Sequence, residues 1–313
     1  TPLYSSAASD VYKRQVEVLA KNTGEQSEMK GIVLAGGSGS RLYPLSLATS
    51  KQLMPVYDKP MIYYPISTLM LAGIREILII TTPEHQSDFQ RLLGTGENWG
   101  VSFQYEIQSK PTGIADALLI AENFLAGQPC ALILGDNLFY GMGLGESLKS
   151  KLESGSGARI FCQAVKDPGR YGVVELDRQG SVISIEEKPV EPKSNMAATG
   201  LYFFDSSAPE YARSLVPSDR GELEISDLIR VYLDQGQLSA EILERGAVWL
   251  DTGTFDSLAD ASEFVRVVQQ RQGLKISCPE EIAFSQGYIT GEQLAKLASS
   301  GTGEYFDYLR HIH

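Results

Sequence analysis

A glycine-rich turn directly after a short apolar strand constrains the fold of this chain more than any other feature. Residues 32–35 are all apolar, as in a strand buried on both faces, and Gly36, Gly37 and Gly39 follow at once. Such a turn leaves backbone N–H groups free to bind phosphate oxygens, and glycines let a ligand approach the backbone closely. Arg41 adds a forked cation. The segment therefore predicts a protein that handles nucleotides.

Two familiar phosphate-binding patterns match this segment only partly. The dinucleotide pattern requires a third glycine where this chain has Leu42, and the Gly-Lys-Ser/Thr tripeptide of the P-loop does not occur. A plain dinucleotide fold and a P-loop fold are therefore disfavoured. A glycine-rich turn that binds no ligand remains an alternative at this point.

The net charge limits the class of binding partner, and the cysteines indicate the redox compartment. The 313 residues carry a formal net charge of −12, which argues against nucleic acid polymers and anionic membranes as partners. No apolar run approaches the roughly 20 residues that a membrane span requires. The three cysteines are far apart, without a Cys-x-x-Cys pair, which favours a reducing compartment and hence a cytoplasmic location.

The first part of the chain differs from the rest. Residues 1–28 are polar, rich in Ser and Ala, and without a sustained period, whereas Met29 opens a clean strand. We expect residues 1–28 to be a non-native or disordered extension, with Met29 as the natural start. A transit peptide is the alternative, weakened by the four acidic residues of the segment.

Periodicity predicts an α/β fold. Strands at residues 32–35, 76–81, 103–107 and 130–134 alternate with helices at residues 61–71 and 115–124. This alternation predicts a mainly parallel sheet flanked by helices on both faces, with Pro65 kinking the first helix. The second half is mixed: a hairpin turn at residues 177–180, strands at 197–204, 241–243 and 247–250, helices at 224–233 and 255–270, and short helical pieces after residue 279.

Two aspartates follow apolar strands at distant points of the chain. Asp136 ends the run that begins at Cys130, and Asp251 follows Trp249 and Leu250. Ligands of open α/β sheets bind at the carboxyl ends of the strands, and two carboxylates with phosphate oxygens suit Mg²⁺. Taken singly, each aspartate also fits a helix cap or a turn.

Other polar residues stand where a nucleotide or a sugar phosphate would need them. Lys51 follows the glycine loop at a distance suited to a triphosphate, and Lys188 and Glu187 end a strand. Gln108 also ends a strand and precedes Gly113; its amide offers one donor and one acceptor, which complements the N3–H and O4 edge of thymine or uracil. A solvated lysine, a charged strand end and a polar turn residue are the respective alternatives.

Taken together, these motifs resemble the glucose-1-phosphate thymidylyltransferases, the short bacterial type of sugar nucleotidyltransferase. The glycine loop is shared with many nucleotidyltransferases, whereas the segments at residues 50–53 and 220–225 are far more specific. The matching segments occur in the family's order and extend from Met29 to about residue 297: residues 34–41, 50–64, 134–137, 170–174, 186–189, 199–202, 220–225 and 249–254.

The resemblance implies a Rossmann-like nucleotidyltransferase fold, with a mixed, mainly parallel sheet flanked by helices. It implies a catalytic domain over residues 29–270 and a small helical C-terminal subdomain and tail over residues 271–313. The implied reaction converts dTTP and α-D-glucose 1-phosphate to dTDP-glucose and pyrophosphate, the first step of dTDP-sugar (dTDP-rhamnose-type) biosynthesis. The family is also expected to form a homotetramer that a dTDP-sugar inhibits by feedback.

The resemblance also implies residue roles. Asp136 and Asp251 are expected to hold Mg²⁺, and Arg41 and Lys51 to stabilise the triphosphate and the departing pyrophosphate. Lys188 is expected to bind the phosphate of glucose 1-phosphate. The remaining expected binding residues fall into three groups: the nucleotide (Leu34, Gly36, Gly37 and Gln52), its base (Gln108 and Gly113) and the sugar (Tyr171, Gly172, Glu187 and Gly200).

The chain departs from the family pattern around the expected base site. Ser40 stands where threonine is common, Gln108 is followed by Ser-Lys-Pro-Thr-Gly instead of Pro-Ser-Pro-Asp-Gly, and Asp116 stands where glutamine is usual. These changes leave open the same reaction with UTP, another nucleotide or another sugar 1-phosphate. A non-catalytic nucleotide-sugar sensor is the alternative of a different class, although all five expected charged residues are present.

Overall fold

The computed structural model describes residues 28–37, 39–152 and 156–312. The predicted extension at residues 1–28 lies outside these ranges except for Glu28. Within the described part of the chain, no helix is both long and apolar enough to cross a membrane.

Strands and helices alternate through the first half and mix in the second. The strands are β1 (Lys30–Ala35), β2 (Pro55–Val56), β3 (Lys59–Pro60), β4 (Glu76–Thr81), β5 (Ser102–Ile107), β6 (Cys130–Leu134), β7 (Asn137–Tyr140), β8 (Ala158–Ala164), β9 (Gly172–Leu176), β10 (Val182–Glu187), β11 (Met196–Phe204), β12 (Leu238–Ile242) and β13 (Val248–Asp251). The helices are α1 (Tyr63–Leu71), α2 (Gln86–Leu93), α3 (Asp116–Ile120), α4 (Glu122–Leu125), α5 (Leu144–Leu152), α6 (Ala208–Ser214), α7 (Ile225–Asp234), α8 (Phe255–Gln272), α9 (Pro279–Ser285), α10 (Gly291–Ala298) and α11 (Glu304–Leu309).

Nine of these strands form one mixed sheet, which confirms the predicted fold class. The main path runs β10-β9-β11-β6-β1-β4-β5, and β8 and β12 extend it beside β11. Strands β6, β1, β4 and β5 are parallel, whereas β11 runs antiparallel to β6. Because β1, β4 and β6 are parallel neighbours, their carboxyl ends lie at one edge of the sheet, where ligands of such sheets bind.

Side chains on opposite faces of the sheet enter two separate cores. In β1, Val33 and Ala35 belong to a core shared with α1 and α5, whereas Ile32 and Leu34 face a core shared with α3, α6 and α7. Burial on both faces explains the continuous apolar run of this strand. The C-terminal helices contribute Ile282, Leu294 and further residues to the core that contains Val33. The division into a catalytic domain and a C-terminal subdomain stays a prediction.

Several element predictions need correction. The helix expected over residues 61–71 begins at Tyr63, so Pro65 lies in the first turn, where its missing N–H has no helical partner to lose, and the predicted kink is wrong. The helix expected over residues 115–124 is two short helices that meet at Ala121. The strand expected at residues 241–243 is Leu238–Ile242, displaced toward its parallel partner β8.

Candidate active site

The glycine turn after β1 has the backbone that its sequence predicts. Gly37 and Gly39 have φ values of 100° and 56°, which L side chains rarely adopt. An ideal Cβ on Gly36 would lie 3.1 Å from Oε1 of Gln108, so glycine permits this close approach. Leu42, at the position of the third glycine in the dinucleotide pattern, is fully buried, while the side chain of Arg41 remains exposed.

The buried side chain of Gln52 contacts the glycine turn. Its side chain is buried, its Oε1 accepts a hydrogen bond from Ser50 Oγ at 2.7 Å, and its Nε2 donates to the carbonyl of Gly36 at 3.4 Å. An ideal Cβ on Gly135 would lie 3.0 Å from Cγ of Gln52. The glutamine therefore fills the space between the glycine turn and the end of β6.

The two predicted carboxylates lie on adjacent backbone segments. Strands β7 and β13 form a separate antiparallel pair in which Asp251 lies opposite Asn137, the residue after Asp136. Thr252 donates both its backbone N–H and its hydroxyl to the carbonyl oxygen of Asp136, at 3.2 and 2.9 Å. The fold thus joins two aspartates that are far apart in sequence.

Two cations converge on these carboxylates. Lys51 Nζ forms an ion pair with Oδ2 of Asp136. An ideal Cβ on Gly253 would lie 3.2 Å from Oδ2 of Asp251, 3.5 Å from Nη1 of Arg41 and 4.0 Å from Nζ of Lys51. Arg41 and Lys51, from the segment after β1, and Asp251, at the end of β13, therefore bring charged groups from two distant parts of the chain to Gly253.

Asp251 has two further partners. Its Oδ1 accepts a hydrogen bond from the hydroxyl of Tyr171 at 2.8 Å, and Nη2 of Arg170 lies 3.4 Å from its Oδ2. Burial and the nearby Asp251 carboxylate raise the pKa of Tyr171 to about 12. Tyr171 therefore stays a protonated donor at neutral pH, and its ring packs edge-on against Trp249 at 5.0 Å.

Asn137 holds three parts of the site together and was not selected from the sequence. It is buried, with 3% of its surface exposed, and its Nδ2 donates to Oδ1 of Asp136 at 2.8 Å. Its Oδ1 accepts hydrogen bonds from the N–H of Gly200, at 3.2 Å, and from the indole N–H of Trp249. An amide directly after a strand-end aspartate was the available signal.

The residues expected at the sugar lie on neighbouring strands. Gly172 of β9 pairs with Glu187 of β10, and the N–H of Lys188 donates to the carbonyl of Tyr171 at 3.0 Å. Lys188 has φ 42°, a conformation that is uncommon for a residue with a side chain, and its Nζ lies 2.8 Å from Oε1 of Glu187. Gly200 follows on β11, where an ideal Cβ would lie 2.6 Å from Oδ1 of Asn137.

The residues expected at the base lie across the glycine turn. Gln108 follows β5, and its Nε2 donates to the carbonyl of Gly113 at 3.1 Å. Gly113 has φ 106°, and an ideal Cβ there would lie 2.3 Å from the carbonyl oxygen of Leu223. The 220–225 segment is therefore packed directly against this loop.

The oxygen atoms of Asp136 and Asp251 suit a hard divalent cation. Within residues 28–37, 39–152 and 156–312, no three His, Cys, Asp or Glu residues come together as a complete metal cage. Two carboxylates on adjacent backbone segments therefore fit a divalent ion that would take its remaining ligands from oxygen atoms of water or of a bound molecule.

Comparison with known proteins defines the class. A model of the nucleotidyl transferase family matches residues 30–267, and the chain is an enzyme of this class, a nucleotidyltransferase. Glucose-1-phosphate thymidylyltransferase of Xanthomonas campestris is 58% identical over 273 residues, 87% of this chain and 92% of that protein. The enzyme of that name from Mycobacterium tuberculosis is 55% identical over 281 residues, 88% and 97% of the two chains. The chain belongs to the glucose-1-phosphate thymidylyltransferase family, as its motifs predicted.

One solved structure agrees with this assignment, and a second agrees with the fold. A Bacillus anthracis structure, described as a glucose-1-phosphate thymidylyltransferase in complex with a sucrose, is 43% identical with a TM-score of 0.71 and covers 76% of this chain and 95% of its own. A UDP-glucose pyrophosphorylase complexed with UDP-glucose has a TM-score of 0.66 over 77% of this chain and 99% of its own. At 24% identity, the latter supports the fold alone.

Proposed function

We propose that this protein transfers a thymidylyl group from dTTP to α-D-glucose 1-phosphate, which yields dTDP-glucose and pyrophosphate and begins dTDP-sugar biosynthesis of the dTDP-rhamnose type. The observation that carries the proposal is the convergence of Arg41, Lys51 and Asp251 around Gly253, with Asp136 paired to Lys51. Relatives that bear the name of this activity are 53–58% identical over most of the chain.

The chemistry requires positioning and charge neutralisation more than covalent help. A phosphate oxygen of the sugar phosphate attacks the α-phosphorus in line, and pyrophosphate leaves. Arg41 and Lys51 bind the triphosphate and stabilise the charge that develops on the departing pyrophosphate. Lys188 binds the phosphate of glucose 1-phosphate, and its pairing with Glu187 supports this placement beside the sugar site.

Asp136 and Asp251 are the residues that would hold Mg²⁺. When bound, the ion would neutralise charge on the reacting phosphates. Asn137 and Tyr171 orient the two carboxylates by hydrogen bonds, and Thr252 ties their backbones together. Lys51 balances the charge of Asp136 in the protein alone and is close enough to Gly253 to serve the phosphates there.

The remaining residues position the two substrates. Leu34, Gly36, Gly37 and Gln52 form the nucleotide cradle, and Gln108 and the Gly113 backbone read the base. Tyr171, Gly172, Glu187 and Gly200 form the sugar pocket. Two contacts support this division: the base loop, residues 108–115, approaches Gly36 through Gln108, and Gly200 in the sugar pocket donates its N–H to Asn137.

Three further statements belong to the proposal. The protein forms a homotetramer in the cytoplasm and is inhibited by a dTDP-sugar. The net charge of −12 does not prevent binding of small anionic substrates, because a few local cations at the site suffice for them. Light scattering tests the assembly: a mass of four chains is expected, and a monomer would refute that part alone.

Pyrophosphate release tests the reaction. The protein, Mg²⁺ and glucose 1-phosphate are mixed with dTTP, UTP, CTP, ATP or GTP in separate assays, and strong release with dTTP is expected. Release mainly with another nucleotide would keep the reaction and move the specificity to the changes around Gln108. If no pyrophosphate is released with any nucleotide or with other sugar 1-phosphates, the catalytic proposal is contradicted and a non-catalytic nucleotide-sugar sensor is favoured.

A further inference from the structure

The amide of Gln108 is held in one orientation by its neighbours. The residue is 6% exposed, and its Nε2 lies 3.1 Å from the carbonyl of Gly113 and 3.1 Å from Oδ2 of Asp116. The two hydrogens of the nitrogen therefore have two acceptors within the protein, so the amide presents only its oxygen to a base, and the donor expected for O4 is already used. Thr112 Oγ1 is a third polar atom on this side, at 3.3 Å.

All three groups around Nε2 of Gln108 accept hydrogen bonds and offer no hydrogen to it. A carboxylate only accepts hydrogen bonds, and so does a backbone carbonyl. The hydroxyl of Thr112 donates to the same Oδ2 of Asp116, so its single hydrogen is directed away from Gln108. A flipped amide would place Oε1 against these acceptors and lose both hydrogen bonds, which is unfavourable in a buried site.

The oxygen of the amide faces the glycine turn. An ideal Cβ on Gly36 would lie 3.1 Å from Oε1 of Gln108, and no residue in the described ranges donates a hydrogen bond to this oxygen. A ligand that brings an N–H to this place would complete the hydrogen bonding of the amide. The N3–H of thymine or uracil is such a group, whereas cytosine has an acceptor at the same ring position and carries its amino donor one position further along the ring, so it would reach this oxygen only after a shift of the base.

We propose that Asp116 is a positioning residue that fixes the amide of Gln108 with its oxygen toward the base and thereby selects thymine and uracil over cytosine. The proposal deepens the base-reading role of Gln108 and rests on it. A carboxylate at this position accepts hydrogen bonds only, whereas an amide there could also donate, so the carboxylate of Asp116 permits only one orientation of the Gln108 amide.

The test compares three nucleotides in D116N. The inhibition constant of dCTP against dTTP is measured together with kcat/KM for dTTP and UTP, so that dCTP need not be a substrate. Because the side-chain amide introduced by D116N can donate to a flipped Gln108, the preference for dTTP over dCTP is expected to fall about tenfold. Thymine and uracil both present N3–H to the free oxygen of Gln108, so the ratio of dTTP to UTP is expected to stay within about twofold.

E122Q is the matched control. Glu122 is the first residue of α4, as Asp116 is of α3, and its carboxylate pairs with the exposed Arg213 instead of the base loop. It is expected to leave all nucleotide ratios unchanged. The KM for glucose 1-phosphate is expected to stay constant in both variants, which a general structural role of Asp116 would not predict. D116Q replaces D116N if the latter fails to unfold cooperatively.

Q108A separates the two levels of the proposal. If Q108A loses nucleotide preference but D116N and D116Q keep the parent ratio of dTTP to dCTP, the positioning role of Asp116 is wrong and the base-reading role stands. If Q108A keeps the parent preference, the base-reading role is wrong and the role of Asp116 falls with it. An equal change in the dTTP to UTP and dTTP to dCTP ratios would also overturn the proposal.

Discussion

At the scale of single residues, the site depends on buried polar side chains that serve several partners at once. Asn137 donates to Asp136 and accepts from Gly200 and Trp249, so one amide connects the residue pair after β6 with β11 and β13. Buried polar networks of this kind stabilise a single arrangement when every member has its partners. The acidic residues at the site are therefore held by neutral neighbours as well as by cations.

Asn137→Ala is expected to lower the free energy of unfolding by about 2–3 kcal/mol, because it leaves the N–H of Gly200 and the indole of Trp249 without a buried acceptor. Turnover is expected to fall as well, since Asp136 loses its orienting donor. Chemical denaturation and steady-state kinetics measure both effects. An unchanged unfolding midpoint would show that water replaces the amide without cost.

Asp136→Asn tests the charge at the centre of the site. The variant removes the partner of Lys51 and one of the two carboxylates expected to hold the metal, so kcat is expected to fall about 100-fold or more while the fold remains intact. Asp307→Asn is the control, because the carboxylate of Asp307 forms an exposed ion pair with Arg310 in the C-terminal helix α11. Near-normal turnover with an unchanged Mg²⁺ requirement would contradict the assignment.

At the scale of elements, short segments far apart in the chain build the candidate site. Leu223 exchanges backbone hydrogen bonds with the base loop: its N–H donates to Thr112 and its carbonyl accepts from Ala115. On the other side of the site, β7 and β13 bring Asp136 and Asp251 together. Neither pairing belongs to the main sheet, which serves as the rigid support for both.

Gly113→Ala tests the packing of the base loop. A Cβ there would lie 2.3 Å from the carbonyl of Leu223, at a φ of 106°, so the loop must move away from its partner segment. We expect the KM for dTTP to rise about tenfold, with less effect on glucose 1-phosphate, and a loss of about 1–3 kcal/mol of stability.

Gly127→Ala is the control for this variant. Gly127 also has a positive φ, 80°, but no atom lies within 4 Å of an ideal Cβ. Gly127→Ala therefore introduces backbone strain without a steric clash, so the KM of this variant for dTTP is expected to equal that of the parent. A similar rise of KM in both variants would mean that strain alone, and not contact with Leu223, is responsible.

At the scale of the whole molecule, both faces of the sheet are closed by helices, and the C-terminal helices are part of that closure. Tyr288, between α9 and α10, donates its hydroxyl to the carbonyl of Met70 in α1 at 2.9 Å. Burial raises the pKa of Tyr288 to about 12 from a reference value of 10.0. The hydrogen bond from Tyr288 to Met70 requires the protonated hydroxyl, so the stability of the C-terminal packing is expected to depend on pH in the alkaline range.

Stability is expected to fall as the pH rises from 10 to 12. In the unfolded chain Tyr288 ionises near pH 10, whereas the folded protein retains the proton to about pH 12, so its contribution is complete below pH 10 and lost above pH 12. Two pKa units correspond to about 3 kcal/mol. Denaturation of Tyr288→Phe at several pH values checks this: a slope between pH 10 and 12 identical to the parent would contradict the link.

Sequence patterns identified the sheet well but not all the pieces that complete the site. Strands β1, β4 and β6 are strongly apolar because both of their faces are buried, and their positions follow from this pattern. Strands β7 and β8 were missed: the four residues of β7 pair with β13 more than 100 positions later, and β8 pairs with β11 and β12, both of which follow it in the chain. The orientation of the Gln108 amide was equally invisible, because Asp116 has no partner that its local sequence indicates.

By itself, the sequence determined the buried strand, the glycine turn and the class of chemistry, because hydrophobic periodicity and turn conformation are local properties. Only the tertiary structure decided which charges meet at Gly253, which groups Asn137 connects and which way the amide of Gln108 faces. These contacts join segments with no local relation to each other, and their hydrogen-bond directions depend on the packing of the whole sheet and its helices.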